Sequence, residues 1–178
     1  NELEDSSIVS FKDKKILQTI DHIKLFNSID PYVFGIISYL HSQNDIIAAG
    51  GKVDSLNVSI GIPFSEQKTE IFFLESFMKG IKDTAKIDDS FIVSGHSFQT
   101  HEPGITINMN GTIIDNSSKS SARENDLIYL SKPLGTGYLM NAYFKNSSLV
   151  NSICLKKIIN YLKMSNFKAV EIAKMHNS

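Results

Sequence analysis

The sequence has a single cysteine, Cys154, in 178 residues. That excludes an internal disulfide and any metal site built from several cysteines. No apolar run approaches the ~20 residues of a membrane-spanning helix, so no membrane partner is expected. The formal net charge is only -1, which leaves no basic field to draw the chain to phosphate backbones, and no nucleic-acid partner is expected. Of the five histidines, His22, His41, His96, His101 and His176, no two stand four apart, so a helix-borne histidine pair is excluded as a metal site. Internal repeats and low-complexity segments are also missing. No signal peptide opens the chain and no initiator Met precedes Asn1. The expectation is an excised piece of a longer protein from a reducing, cytoplasmic compartment.

What is there reads as globular, with 42% hydrophobic and 21% charged residues and length enough for one ordinary domain with a core. "SSIVSF" and "KILQTID" flank a polar turn at residues 12–15 and predict a hairpin. "IDPYVFGIISYLHSQNDIIAAGG" predicts a helix: Asp30 is its N-cap, Pro31 suits the first helical position, and Gly50 or Gly51 suits the left-handed end. "VDSLNVSIGIP" alternates with period two and predicts a strand. From Ser65 to about Ile87, Ile71, Leu74, Met78 and Ile81 fall at helical spacing. "FIVSGHSF", "GITINMNGTII" and "DLIYLSK" predict three more strands. Helices follow around residues 138–144 and from about residue 150. The order ββαβαβββα specifies an α+β layer, a mostly antiparallel sheet with its helices on one face. The other face then needs cover, which points to a homodimer.

Three carboxylates sit at element edges beside apolar neighbours: Asp5 before the first strand, Asp21 ending the second, and Asp45 near the end of the first helix. Asp45 is the odd one, since negative charge in a last turn meets the negative end of the helix dipole. Acids converging on one edge suit Mg²⁺ shared with substrate phosphates. Spacing alone equally allows Asp5 as a solvated loop residue and Asp21 as a turn residue. "SGHSF" reads either as a phosphate cradle of backbone N–H groups or as a plain turn. "PLGTG" at the mouth of a helix carries the same two readings, and "HEPG" reads as a turn. Cys154, in an apolar helical context, reads as a small hydrophobe rather than a nucleophile.

The order of these signals is informative. "ED", "QTID", "DPYVFG", "NDIIAAGGK", "SGHS", "HEP" and "LSKPLGTG" follow one another from Glu4 to Gly137, and the likeness runs on to about His176. That succession resembles the selenide, water dikinase (selenophosphate synthetase) family, within a superfamily that includes aminoimidazole ribonucleotide synthetase, hydrogenase maturation and thiamine monophosphate kinase members. The resemblance implies an N-terminal-domain fold like that of aminoimidazole ribonucleotide synthetase. It implies that Asp5 ligates Mg²⁺ and that Asp45 touches both metal and ATP. Asp21 would lie against the ATP phosphates, Thr19 would precede that nucleotide Asp, and Gly95, His96 and Ser97 would contact the nucleotide. Selenide is the implied substrate. A homodimer sharing a β-barrel, with ATP at the interface, is the implied assembly.

The sequence departs from the family pattern at Glu4 in the first acidic pair, at His41 where the first helix carries Asn, at Asn44 before Asp45, and at Ser94 before Gly95. The family's reactive Cys (or selenocysteine) and Lys segment would lie upstream of Asn1, and a further metal-binding Asp beyond Ser178. The expected division is therefore an ATP-binding domain over residues 1–149 and a helical segment over 150–178 leading into a C-terminal domain. No catalytic residue is expected within these residues, and the isolated fragment is expected to be inactive. Two other readings stay open: a degenerate dimerisation or regulatory module, and another ATP-dependent reaction of the same superfamily.

Overall fold

A computed structural model describes residues 6–26, 29–115 and 123–175. The chain forms two compact units, residues 1–118 and 119–178, and each is described by itself.

In the first unit, β1 (Ser7–Phe11) and β2 (Lys14–Lys24) make the expected antiparallel hairpin, closed by two residues. Lys12 takes a left-handed φ of 55° there, the sign a tight hairpin turn demands. α1 (Pro31–Ala48) begins where the sequence signals it: Val33 N donates to Asp30 Oδ1 at 3.0 Å. It stops ahead of Gly50, whose φ of 79° suits a residue without a Cβ. β3 (Gly51–Pro63), α2 (Gln67–Ile87), β4 (Phe91–Thr100) and β5 (Gly104–Ile113) complete the unit.

The sheet order is β1-β2-β5-β3-β4. The first four of these strands run antiparallel to their neighbours, as the alternation predicted, but β4 lies parallel to β3. The cause is α2, which carries the chain back across the layer so that β4 starts from the same end as β3. Both helices pack on one face, α1 over β2, β5 and β3, and α2 over β3 and β4, and they pack on each other. Leu56 and Ile107 from the strands and Phe34 and Phe77 from the helices are essentially fully buried between these layers. Each such side chain contributes roughly 1.5–3 kcal/mol.

Three expectations need correction. Asp21 does not end the second strand; β2 continues to Lys24 because Ile23 and Lys24 still pair with Ile105 and Gly104 of β5. The buried stripe of α2 is Phe77, Gly80, Ile81, Thr84 and Ala85, whereas Ile71 is exposed. The stripe is shifted because Gly80 lets α1 approach that face backbone to backbone. Third, no strand forms over residues 126–132. Its apolar residues Leu127, Ile128, Tyr129 and Leu130 are exposed, and without a ladder partner among the described residues their β propensity has no strand to complete.

A buried polar knot ties α1 to the α2–β4 turn. The Tyr39 hydroxyl donates to Asp88 Oδ2 at 2.7 Å and lies 2.8 Å from Ser90 Oγ, and Gln43 Nε2 donates to the same Asp88 oxygen. Burial first, then the Asp88 carboxylate, push the Tyr39 phenol far above its ordinary value of 10, against a lowering by the Ser90 bond. A folded-state value above the unfolded one means stability that is present below pH 10 and lost as pH rises further. We expect Tyr39→Phe to lower stability by about 1 kcal/mol at neutral pH. It should also flatten the decline above pH 10, which otherwise reaches ~1.4 kcal/mol per pH unit. Urea unfolding of both proteins across that range checks this, and equal slopes would discredit the assignment.

The second unit holds α3 (Thr136–Lys145), a 3-10 turn (Ser147–Leu149), α4 (Ser152–Leu162) and α5 (Phe167–Met175). Gly135, at φ 100°, supplies the left-handed residue that opens α3. Asn151 caps α4 by accepting from Cys154 N at 2.8 Å, and the Cys154 side chain is half-buried. Lys132, the lysine of "SKPLG", donates from Nζ to Met164 O at 2.7 Å, just past α4. A cation there meets the negative end of a helix, while burial holds its ammonium below the usual lysine range. Among the described residues no helix is long and apolar enough to cross a membrane.

Candidate functional site

Alternation along β2 turns Leu17, Thr19, Asp21 and Ile23 toward the helix layer, and α1 lies over them. Thr19, nearly fully buried, donates from Oγ1 to Asp45 Oδ2 at 3.2 Å. Two residues further along the strand, Asp21 Oδ1 stands 3.8 Å from His41 Nε2. These two rungs form because the element repeats match. Two strand residues advance about 6.7 Å and four helical residues about 6 Å, so an antiparallel helix brings residues 41 and 45 over residues 21 and 19. Ser6 Oγ adds a bond to the Asp45 carbonyl at 3.3 Å, and Asn108 Nδ2 donates to the Thr19 carbonyl at 3.1 Å.

The structure thus brings Thr19, Asp21 and Asp45 to one strand–helix edge, with His41 and Ser6 beside them. Asp5, with Glu4, lies outside the described residues. His41 had a readable signal, since i and i+4 share a helix face with Asp45; Ser6 and Asn108 had none, because only the folded register brings them in. The donor set is made of hard oxygens, the kind Mg²⁺ takes. One carboxylate oxygen, Asp21 Oδ2, is buried without a hydrogen-bond partner, a place where a buried acceptor calls for a cation or donor. No three His, Cys, Asp or Glu side chains converge as a metal cage among the described residues. Mg²⁺ is commonly held by one or two carboxylates plus substrate phosphates and water, so the arrangement fits an ion arriving with nucleotide.

Gly95, His96 and Ser97 lie elsewhere. They form the middle of β4, an extended strand rather than a turn, so the cradle reading of "SGHSF" does not hold. β4 is three strand spacings from β2, about 14 Å. Gly95 is required by packing: a Cβ there would stand 2.9 Å from the Val58 carbonyl oxygen. His96 points to the helix-free face, across from Ser59, and its ring stacks near Phe98 with centroids 6.1 Å apart. That face is a polar ladder. Gln18 donates to Asn110 at 2.9 Å, Ser94 to Asn57 at 2.7 Å, and His22 and Thr106 share a 2.8 Å bond. "HEPG" is the β4–β5 turn, where Glu102 pairs with Lys24 at 2.9 Å.

The AIR synthase related protein N-terminal domain matches residues 3–114. The chain belongs to that family. The match covers the first unit almost entirely, so this AIR synthase related domain carries both the Thr19–Asp45 edge and β4. Selenide, water dikinase of Clostridioides difficile is 28% identical over 164 residues, which make up 91% of this chain and 46% of that protein. The enzyme of that name from Campylobacter jejuni is 27% identical over 180 residues, 98% of this chain and 51% of its own length. The chain spans about half the length of these relatives. The fold is shared with thiamine monophosphate kinase of Aquifex aeolicus, at a TM-score of 0.76 and 20% identity over 97% of this chain and 59% of that one. A ThiL structure complexed with AMPPCP and TMP matches equally well, with a TM-score of 0.76 and 21% identity over 96% of this chain and 56% of that chain.

Proposed function

We propose that this AIR synthase related domain is the Mg-ATP-binding part of a selenide, water dikinase-like phosphotransferase. In the whole protein, ATP, selenide and water would give selenophosphate, AMP and phosphate. The observation that carries the reading is the double rung joining β2 to α1. It gathers Thr19, Asp21 and Asp45, which the family resemblance assigns to nucleotide and metal, around one orphaned carboxylate oxygen. Selenide, water dikinases among the relatives support the reaction, and a fold neighbour complexed with AMPPCP supports the nucleotide. Bound Mg²⁺ would offset phosphate charge during transfer. Thr19 holds Asp45 in place, Asp45 would supply protein oxygen to that ion, as the resemblance also has Asp5 do, and Asp21 would lie against the phosphates.

A homodimer belongs to the proposal. One copy holds Asp21 about 14 Å from Gly95, His96 and Ser97, so a single nucleotide touching both sets takes the second set from a partner copy. Calorimetry with Mg-ATP should give saturable, magnesium-dependent heats, and sedimentation of the same sample should give twice the chain mass. Absence of binding at millimolar nucleotide would overturn the nucleotide reading and leave a dimerisation module in its place.

A further inference from the structure

The middle row of the helix-free face leads from β4 to the Thr19–Asp45 edge. Ser94 stands opposite Asn57 across β4 and β3, and Asn57 stands opposite Asn108 across β3 and β5. Ser94 Oγ donates to Asn57 Oδ1 at 2.7 Å, Asn57 Nδ2 to Asn108 Oδ1 at 3.4 Å, and Asn108 Nδ2 to the Thr19 carbonyl at 3.1 Å. On β2 the residue opposite Asn108 is Ile20, which offers no polar side chain, so the amide turns to the main chain one residue earlier. Chemistry at that end fixes the direction of the whole row. A carbonyl oxygen only accepts, so Asn108 must present its amide N–H to Thr19 and its oxygen to Asn57. Asn57 must then present its amide N–H to Asn108 and its oxygen to Ser94, whose hydroxyl is left as the donor. Thr19 in turn donates from Oγ1 to Asp45 Oδ2 at 3.2 Å. Ser94, a position where the sequence departs from the family pattern, thus supplies the first donor of the row. The neighbouring row, Gln18–Asn110–Ser55, ends opposite Phe91 and stops at β3 for want of a polar side chain there.

We propose that Asn108, Asn57 and Ser94 are positioning residues: their row of hydrogen bonds ties the state of β4 to the placement of Thr19 and, through Thr19, of the Asp45 side chain. This rests on the nucleotide reading above and adds to it a link between two strands that stand three spacings, about 14 Å, apart. In the proposed dimer those two strands of one copy serve different nucleotides, so the row joins the two sites through each chain. A polarised amide that accepts at its oxygen donates more strongly at its nitrogen, so the loss of any member is felt at the Thr19 end.

Two readouts on the 178-residue chain test this, one without nucleotide and one with it. Ser94 is exposed on an edge strand, so its variants should keep the fold. Without nucleotide, amide hydrogen exchange followed by NMR should quicken at Thr19 about threefold or more in Ser94→Ala, although the lost hydroxyl stands too far from β2 to act on it directly. Ser94→Thr, which keeps a hydroxyl, should exchange as the unsubstituted chain does. With Mg-ATP in a calorimeter, Ser94→Ala and Asn108→Ala should each weaken binding about fivefold, the effect of one ordinary hydrogen bond. The decisive comparison is Ser94→Ala in an Asn57→Ala background. There it should cost nothing further, because the row is already cut. An equal loss with Asn57 present or replaced would mean that Ser94 meets the ligand by itself, and would overturn the proposal. So would unchanged exchange at Thr19 in Ser94→Ala. If the unsubstituted chain binds no Mg-ATP, the nucleotide reading itself fails, which is a separate result, and the exchange measurement still decides whether the row reaches Thr19.

Discussion

Gly80→Val is expected to lower stability by about 3 kcal/mol or more, a large fraction of what holds a domain of this size together. The reason is the way α1 crosses α2. A Cβ on Gly80 would press on the Tyr32 carbonyl oxygen, and one on Gly35 would press on the Phe77 carbonyl oxygen. The two glycines thus face each other's helix backbone, and no flexible side chain stands in the way to yield. Valine would have to push the helices apart along their contact, stripping cover from Phe34 and Phe77, whose rings meet with centroids 5.4 Å apart. Gly137→Ala is the control, because nothing lies within 4 Å of the added carbon there. In the first turn of α3 that change should be neutral or stabilising. Thermal unfolding followed by circular dichroism reads both. A loss of only a degree or two for Gly80→Val would show that the crossing has slack.

The second large effect is on binding and has the opposite sign for the fold. Asp45→Asn should weaken Mg-ATP binding at least a hundredfold while leaving the protein as stable as before or slightly more so. The residue lies in the last turn of α1, where a negative charge opposes the helix dipole by roughly 0.3–1 kcal/mol. Asparagine removes that opposition. Its amide oxygen can still accept from Thr19 Oγ1, so the rung that seats β2 under α1 survives. The charge that a magnesium ion needs does not. Calorimetry and urea unfolding on one preparation separate the two consequences. If stability and binding fall together, Asp45 is a structural residue; if neither changes, it is an incidental helix-end carboxylate.

Local signals in the sequence were sufficient for most elements. Asp30-Pro31 at one end of α1 and Gly50 at the other act within a few residues of themselves, and the period-two run in β3 depends only on which face meets the core. The parallel placement of β4 was not legible, because it depends on where a 21-residue helix sets the chain down. "DLIYLSK" misled for a related reason: composition gives a strand its preference, but a partner gives it its existence. At the site, the residue types were legible and the pairing was not. Thr19 with Asp45 and Asp21 with His41 arise from a match between strand and helix repeats across about twenty residues or more of intervening chain, and nothing local to either segment encodes that match. The position of Gly95, His96 and Ser97 on the far strand likewise follows from sheet order alone.

The helix-free face of the sheet has a thermodynamic consequence. Its rows of Asn, Gln and Ser already bond one another, with exposed Ile20 and Phe98 set among them. Removing apolar surface from water lowers heat capacity, whereas removing polar surface raises it. On this face the two contributions offset. A sheet or ligand stacked on it should therefore associate with a heat-capacity change close to zero, and with an enthalpy that hardly varies with temperature. Burial of an oily face of equal area would leave a strongly negative change.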